Sequence, residues 1–244
     1  MNRAAHHMKI QLHSLLICTL VGLTSTMTFA QESQPENPAP QSQPDTLAPF
    51  HFVQMKTSLG DIIFQLNYAK APISVENFLK YVEQERYDGT IFHRVMPNFM
   101  IQGGAFTKDM GKKQANDPIK NEWQNGLKNM RGSIAMARLP GRADSATNQF
   151  FINTVDNASL DVARDGSGYA VFGKVIGGMD TVDAIRTTPT TTTLPSKGGP
   201  GMMQNVPVTP IVIESVRKIT PEEAEALEGK SLKKSDTPTS KPGE

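Results

Sequence analysis

The stretch "FHRVMPNFMIQGG", residues 92–104, places two polar side chains inside an otherwise apolar run. Arg94 and Gln102 are costly to bury unless they find hydrogen-bonding partners. Either the fold supplies those partners, or the two side chains face a site that a ligand fills. The placement of this stretch therefore decides how the rest of the chain is interpreted.

Alternation along extended strands predicts which side chains of the stretch share a face. If its two halves are strands, Phe92 shares a face with Arg94 and His93 takes the opposite one. In the second half, Met100 shares a face with Gln102. The polar pair would then lie beside large apolar side chains.

Two later stretches combine the same kinds of residue. In "NQFFINT", residues 148–154, Gln149 shares a face with Phe151, while Phe150 points the other way and is predicted to lie in the core. "NASLD", residues 157–161, is typical of a loop and offers Leu160. Together the stretches predict an apolar pocket edged by hydrogen-bond donors, which suits an apolar ring joined to a peptide backbone. Its lining would be Phe99, Met100, Phe151 and Leu160, with Arg94, Gln102 and Gln149 at the edge.

Ordinary structural roles would explain each of these residues taken singly. An arginine on a strand is more often a rim residue whose stem covers apolar surface. Glutamines are more often buried hydrogen-bonding groups, and phenylalanines more often core. His93 could act as an acid or base, but no serine or cysteine nucleophile accompanies it, so a structural or simple contact role is favoured.

The N-terminal segment is typical of a signal peptide. Arg3 and Lys9 precede the apolar run 15–23, and a small residue, Ala30, marks the expected cut. The run is short for a membrane span, which disfavours the alternative of an uncleaved anchor. We therefore predict export to the periplasm.

Cleavage at this point would leave a chain with little bias toward metals or nucleic acids. It removes the single cysteine and three of the five histidines, and it changes the formal charge from +1 to −1. A near-neutral chain gives no basic field for nucleic acid, and His51 and His93 alone are too few for a histidine-rich metal site. We expect no metal, no cofactor, no nucleic acid and no membrane span after cleavage, and we expect a monomer.

Composition divides the remaining chain into three parts. Residues 31–48 are rich in Pro, Gln and Ser and predict a linker. Residues 219–244 begin with a potential short helix and are otherwise polar, which predicts a disordered tail. The folded domain is expected over 49–218.

Short strands dominate that domain. The pattern predicts a hairpin around 58–61, a helix beginning near Pro72, and a second helix over 179–185. The run 187–203 is predicted to be a flexible surface loop. This mixture favours a closed β-barrel capped by two helices, although periodicity alone leaves a β-sandwich open. Further strands are predicted at about 91–95, 99–103, 132–137, 149–153, 169–175 and 208–218.

The order of four motifs resembles the cyclophilin-type peptidyl-prolyl cis–trans isomerases, especially the exported bacterial ones. The motifs are "FHRVMPNFMIQGG", "GSIAMA", "NQFFINT" and "YAVFGKVIGGMD", and the resemblance covers about 49–218. It implies a mainly β fold, a closed eight-stranded antiparallel barrel capped by two α-helices. It also implies that Arg94 is catalytic and that the substrate is a proline-containing polypeptide.

The resemblance further implies roles for the remaining pocket residues. Phe99, Met100, Phe151 and Leu160 would line the proline pocket, and Gln102, Ala137, Arg138 and Gln149 would bind the substrate backbone. Tyr169 stands on the same rim, where the resemblance would place a histidine. His93 would be at most an additional contact.

Three functions are compatible with a pocket of this composition. The first is isomerisation of X–Pro bonds in unfolded or folding exported proteins. The second is a binding module or holdase that uses the same pocket without needing turnover, for which a guanidinium over the prolyl nitrogen is unnecessary. The third, a hydrolase built on His93, lacks the residues for a triad.

Overall fold

A computed structural model of the 244-residue chain describes residues 48–162, 165–193 and 203–235. The predicted signal peptide, nearly all of the predicted linker and residues 236–244 lie outside the described residues. The strands are β1 (Phe50–Thr57), β2 (Gly60–Asn67), β3 (Thr90–Ile91), β4 (Arg94–Met96), β5 (Met100–Gly103), β6 (Ser133–Met136), β7 (Phe150–Asn153), β8 (Val171–Gly177), β9 (Thr190–Thr193), β10 (Met203–Pro207) and β11 (Val212–Ile219). The helices are α1 (Pro72–Glu83), α2 (Met179–Arg186) and α3 (Pro221–Ser235).

Nine strands form one curled antiparallel sheet, in the order β3-β11-β1-β2-β8-β6-β7-β5-β4. The prediction of a mainly β, antiparallel fold is confirmed. The count of eight is wrong, because the expected strand at 91–95 is interrupted at Phe92 and His93 and becomes β3 and β4. These two strands end the sheet on opposite sides. No described ladder pairs them with each other, so the chain segment 90–96, rather than a closed ring of hydrogen bonds, joins the two sheet ends.

A group of aromatic side chains lies in the interior of the curled sheet, among aliphatic ones. Phe78 of α1 lies 4.9 Å from Tyr87, 5.7 Å from Phe150 and 5.3 Å from Phe172, measured between ring centroids. All four side chains are fully buried. Such ring pairs add to the stabilisation that apolar burial provides. Phe150 is therefore a core residue, as predicted, and α1 covers one end of the sheet with its predicted apolar face.

The β1–β2 hairpin is confirmed and turns at Ser58 and Leu59. Thr57 stabilises the turn, since its Oγ1 donates to the Gly60 carbonyl at 2.7 Å and accepts from the Leu59 amide. Gly60 has a φ of +132°, and a Cβ there would lie 2.6 Å from Thr181 Oγ1. Glycine is needed at this position both for the backbone and for the approach of α2.

Two segments contain more regular structure than expected. Within the predicted 187–203 loop, β9 pairs with β10 through Thr193 and Met203; residues 194–202 lie outside the described residues. Within the C-terminal segment, 221–235 form α3, where a short helix followed by a disordered tail was expected, so the helix is longer than predicted. None of the described helices is both long and apolar enough to cross a membrane.

A capping box explains why α3 forms. The Glu223 carboxylate accepts from the Thr220 amide at 2.8 Å, and the Thr220 hydroxyl accepts from the Glu223 amide at 3.2 Å. Ala224 is 1% exposed, because α3 packs against β1, β2 and β8. A small side chain at the contact allows an otherwise polar helix to dock.

The N-terminus of α1 is held by a residue 48 positions away in the chain. Ala71, before the helix, offers no capping side chain. The Glu122 carboxylate instead accepts from the Ile73 amide at 3.0 Å, the Ser74 amide at 2.8 Å and the Ser74 hydroxyl at 2.7 Å. Glu122 therefore performs the N-capping role and fixes α1 to the long connection before β6.

We expect Glu122→Gln to lower the free energy of unfolding by about 1–3 kcal/mol, because a neutral amide binds the helix N-terminus more weakly and turns an N–H donor toward it. Urea unfolding followed by circular dichroism measures the change. Glu83→Gln, an exposed α1 residue, is the matched control and should stay within about 0.5 kcal/mol of the native protein. Equal stability of the two variants would contradict the capping role.

Candidate active site

One cavity of about 440 Å³ brings together every side chain that the sequence predicted for the site. It opens beside the end of the sheet formed by β4, β5 and β7. Its lining also includes Phe106, Lys112, Leu139, Pro140 and Met203, which the sequence did not single out. The predicted members are His93, Arg94, Phe99, Met100, Gln102, Ala137, Arg138, Gln149, Phe151, Leu160 and Tyr169.

Strand register explains why the polar and apolar site residues meet. Arg94 of β4 is paired with Gln102 of β5, which is paired with Phe151 of β7, which is paired with Ala135 of β6. Paired residues point to the same face of a sheet. One row across four strands therefore carries the guanidinium, an amide and an aromatic ring side by side.

The predicted sharing of a face by Phe92 and Arg94 is wrong. Phe92 is fully buried in the core, whereas His93 and Arg94 both line the cavity. Alternation fails because the backbone leaves the strand conformation between Ile91 and Arg94. The Phe92 amide bonds instead to the Ile211 carbonyl at 3.0 Å.

The apolar wall of the cavity is a cluster separate from the hydrophobic core inside the curled sheet. Met100, Phe151, Ala135 and Val171 form its buried part, and Phe151 meets Tyr169 edge-on at 5.7 Å between centroids. Partly exposed side chains complete the cluster, including Phe99, Ala137 and Leu160. The cavity therefore has a preformed apolar floor that is open on one side.

Arg94 is half-buried, and no hydrogen bond or ion pair to another described residue engages its guanidinium. Burial lowers the pKa of Arg94 from its usual value, and nearby Tyr169 opposes this shift. A guanidinium nonetheless stays protonated in proteins. The cavity thus contains a fixed positive charge whose donors remain free for a ligand.

The two glutamines of the site bind each other. Gln102 Nε2 donates to Gln149 Oε1 at 2.8 Å. The pairing leaves the Gln102 carbonyl and the Gln149 amide nitrogen for a ligand. The Ala137 amide donates to the Gln149 carbonyl at 3.0 Å, so only the carbonyl of Ala137 is available to a substrate backbone.

The guanidinium of Arg138, predicted to bind substrate backbone, is fully occupied by the protein itself. It forms a bidentate pair with Asp165 at 2.8 and 2.9 Å and donates to the carbonyls of Gly168, Leu139 and Ser167. These bonds use all five of its N–H groups. Arg138 also lies 4.5 Å from the centre of the Tyr169 ring. The guanidinium holds the cavity rim in place and has no donor left for a substrate, so any contact of Arg138 with a substrate backbone would be made by its main chain.

The same ion pair defines the charge state of the rim. The Arg138 hydrogen bonds, followed by that from the Gly141 amide, hold the pKa of Asp165 well below its usual range. Asp165 therefore stays ionised, and the positive charge of Arg138 is neutralised locally.

His93 is buried and neutral. Burial lowers its pKa to about 4, the neighbouring Arg94 charge adds to that shift, and the Ile91 carbonyl and the Gln149 side chain oppose it. Its ring meets Phe106 edge-on at 4.8 Å, and its buried Nδ1 has no hydrogen-bond partner among the described residues. A neutral imidazole in an apolar wall supports the predicted contact role rather than acid–base chemistry.

A buried asparagine network supports the cavity from behind, and sequence reasoning missed it. Asn157 donates to the Phe99 carbonyl at 2.7 Å and to Asn153 Oδ1 at 2.6 Å. Asn153 in turn donates to Asn129 Oδ1 at 3.1 Å, and Asn129 donates to the Tyr169 carbonyl at 3.3 Å. The network thus fixes the backbone at two lining residues. The sequence did contain one indication of this network. Asn153 ends a predicted buried strand, and a buried amide requires hydrogen-bonding partners.

Comparisons with known proteins agree with this arrangement. The family model described as cyclophilin type peptidyl-prolyl cis-trans isomerase/CLD matches residues 52–218. A peptidyl-prolyl cis-trans isomerase of Acinetobacter baylyi is 56% identical over 165 residues, covering 68% of this chain and 84% of that protein. The peptidyl-prolyl cis-trans isomerase B of Escherichia coli is 48% identical over 167 residues, covering 67% and 97%.

A solved structure agrees as well. The crystal structure of a cyclophilin type isomerase from Cryptosporidium parvum matches with a TM-score of 0.56 and 25% identity, covering 70% of this chain and 98% of that one.

The depressed pKa of His93 predicts a loss of stability in mild acid. Below pH 6.5 the unfolded chain binds a proton at this histidine that the folded protein does not bind until about pH 4. We therefore expect the native protein to lose about 3 kcal/mol of unfolding free energy at this residue between pH 7.5 and pH 4.

His93→Gln isolates this contribution, since it removes the titrating ring. Urea unfolding of both proteins at several pH values should show a stability difference that shifts in favour of the variant as the pH falls. Parallel pH profiles for the two proteins would contradict a neutral, buried His93.

Proposed function

The chain belongs to the cyclophilin-type peptidyl-prolyl cis–trans isomerases and catalyses rotation about X–Pro peptide bonds, and we propose that Arg94 is the catalytic residue of that reaction. The single observation that carries the proposal is the free guanidinium of Arg94 in the cavity wall, in register with Gln102 and Phe151. The other cavity residues bind and orient the substrate.

The chemistry of the bond explains why one guanidinium is enough. Rotation about an amide is slow because resonance gives the C–N bond partial double-bond character, with a barrier of about 18–20 kcal/mol. As the bond twists, the prolyl nitrogen becomes pyramidal and gains a lone pair that can accept a hydrogen bond. A donor fixed near that nitrogen binds the twisted state more strongly than either planar state, which lowers the barrier. No nucleophile and no cofactor are needed.

The cavity supplies the remaining requirements. Its apolar floor of Met100, Phe151 and Leu160 suits the proline ring, which must stay in place while the preceding carbonyl swings. The Gln149 amide nitrogen and the Ala137 carbonyl suit the substrate backbone. Desolvation at a half-buried guanidinium strengthens the interaction with the developing lone pair.

Clients and location are also part of the proposal. We propose that the clients are proline-containing polypeptides that are unfolded or folding, that the protein assists their folding as a monomer, and that it acts in the periplasm. The N-terminal pattern of Arg3, Lys9 and the apolar run 15–23 supports export. The relatives from Acinetobacter baylyi and Escherichia coli are bacterial.

Cell fractionation tests the proposed location. Expression of the full chain in a Gram-negative host should yield a periplasmic protein whose N-terminal sequence begins at Gln31. A chain that stays in the cytoplasm with Met1 intact would contradict export without affecting the proposed catalysis.

We expect Arg94→Ala to lower kcat/KM on a proline tetrapeptide at least about tenfold, which corresponds to about 1.4 kcal/mol of transition-state stabilisation. Arg94→Lys should also be poor, since a point charge does not reproduce the planar donor fork. Exchange NMR between cis and trans peptide measures the rates, and unchanged thermal unfolding shows that the variants fold. Arg86→Ala, a partly buried arginine outside the cavity, is the matched control and should keep native turnover.

Two outcomes would overturn or redirect the proposal. A folded Arg94→Ala protein with native turnover would exclude the catalytic role. The variant could instead lose turnover and still protect an unfolded client from aggregation as well as the native protein does. That result would show a holdase function that needs the pocket but not the Arg94 guanidinium.

A further inference from the structure

A second cavity of about 330 Å³ adjoins the proposed proline site. The two cavities share six lining residues, so they form one continuous groove. Beyond the shared part, the second cavity is lined by Ala115, Pro118, Arg142, Ser145 and Thr147. The shared residues are Gln102, Lys112, Ala137, Arg138, Leu139 and Gln149.

The charges along this groove all have one sign. Arg94, Lys112, Arg138 and Arg142 line it, and neither cavity has an aspartate or glutamate among its lining residues. Of the four, only Arg138 forms an ion pair with a described carboxylate, that of Asp165. Three positive charges are therefore uncompensated in the groove of a chain whose formal charge is only +1.

The backbone that carries Arg142 is fixed. The Ser145 hydroxyl donates to the Arg142 carbonyl at 2.6 Å and accepts from the Leu139 amide at 2.8 Å. Asp165 accepts from the Gly141 amide at 2.7 Å on the other side of the same turn. These bonds also occupy the Ser145 hydroxyl, and the Thr147 hydroxyl donates to Asn148 Oδ1 at 3.3 Å, so the unpaired charges of the second cavity are those of Lys112 and Arg142.

Lys112 lies in the part of the lining that both cavities share, in a short turn of its own. It forms an isolated β-bridge with Phe106, and the Thr107 amide donates to the Gly111 carbonyl at 2.9 Å. Its side chain is exposed, as is that of Arg142. Both cations are therefore exposed in the lining of the groove, where a peptide would pass.

We propose that this groove selects substrates with an acidic side chain near the proline. A residue of extended peptide spans about 3.3–3.6 Å, so a ring bound in the first cavity carries its neighbours within three residues into the second. There Lys112 and Arg142 attract a carboxylate and repel a cation. This inference rests on the proposed proline site, and it adds a substrate class to it.

Matched peptides test the selection. Each peptide carries Glu, Gln or Lys at one of the three positions on either side of an Ala-Pro bond. Exchange NMR measures kcat/KM directly, so no coupling protease with its own charge preference is needed. At low salt, the best position should favour Glu over Gln by about threefold to tenfold, with Lys below Gln, as expected for partly screened ion pairs. In about 1 M NaCl the Glu-to-Gln ratio should fall toward one.

The double variant Lys112→Gln/Arg142→Gln should abolish the Glu-to-Gln ratio. Lys56→Gln removes an exposed lysine of β1 outside both cavities and should retain the ratio. A native ratio of one at every position, or a ratio that survives in the double variant, would overturn the inference. Turnover of the Gln peptides reports the proposed isomerase site separately, so failure of one is distinguishable from failure of the other.

Discussion

The hydrogen bonds that residues 90–96 make to two different strands hold the two ends of the curled sheet together. Thr90 and Ile91 pair with β11, and after two residues Arg94 to Met96 pair with β5. Two residues in neither strand, Phe92 and His93, separate these two pairings. The interruption at Phe92 and His93 lets the chain change partners, and it rotates Phe92 into the core. His93 and Arg94 consequently both face the cavity.

Two arginines in the same cavity have different environments, which suit a structural role for Arg138 and the proposed catalytic role for Arg94. Arg138 is 9% exposed and fully hydrogen-bonded, which is the condition for burying a guanidinium without a large penalty. Arg94 remains half-buried with free donors, so its desolvation is offset only when a ligand binds. One guanidinium thus stabilises the rim, and the other keeps its donors free beside it.

Local alternation and the family resemblance predicted side chains that one cavity brings together, because most of them lie in or beside short strands of the quoted motifs. The predictions failed where distant residues decide the outcome. Phe92 faces the core, and its amide donates to the distant Ile211 carbonyl. The saturation of the Arg138 guanidinium was not foreseen either, because it involves Asp165, 27 positions later. The length of α3 was underestimated because its sequence is largely polar, although Ala224 is buried. The capping residue Glu122 lies too far along the chain to be matched with α1 from the sequence.

The pairing of β1 with β11 has a consequence for how the protein is made. Phe52 is opposite Ile219, so the first strand of the domain completes its hydrogen bonding only with the last. A chain that emerges N-terminus first, from a ribosome or through a membrane pore, therefore has an unpaired β1 edge until nearly the whole domain has appeared. Contacts this distant in sequence also slow folding, since the loop must close before they form. Until synthesis of the domain is complete, β1 therefore has only its hairpin partner β2, and its other edge must stay soluble without a partner.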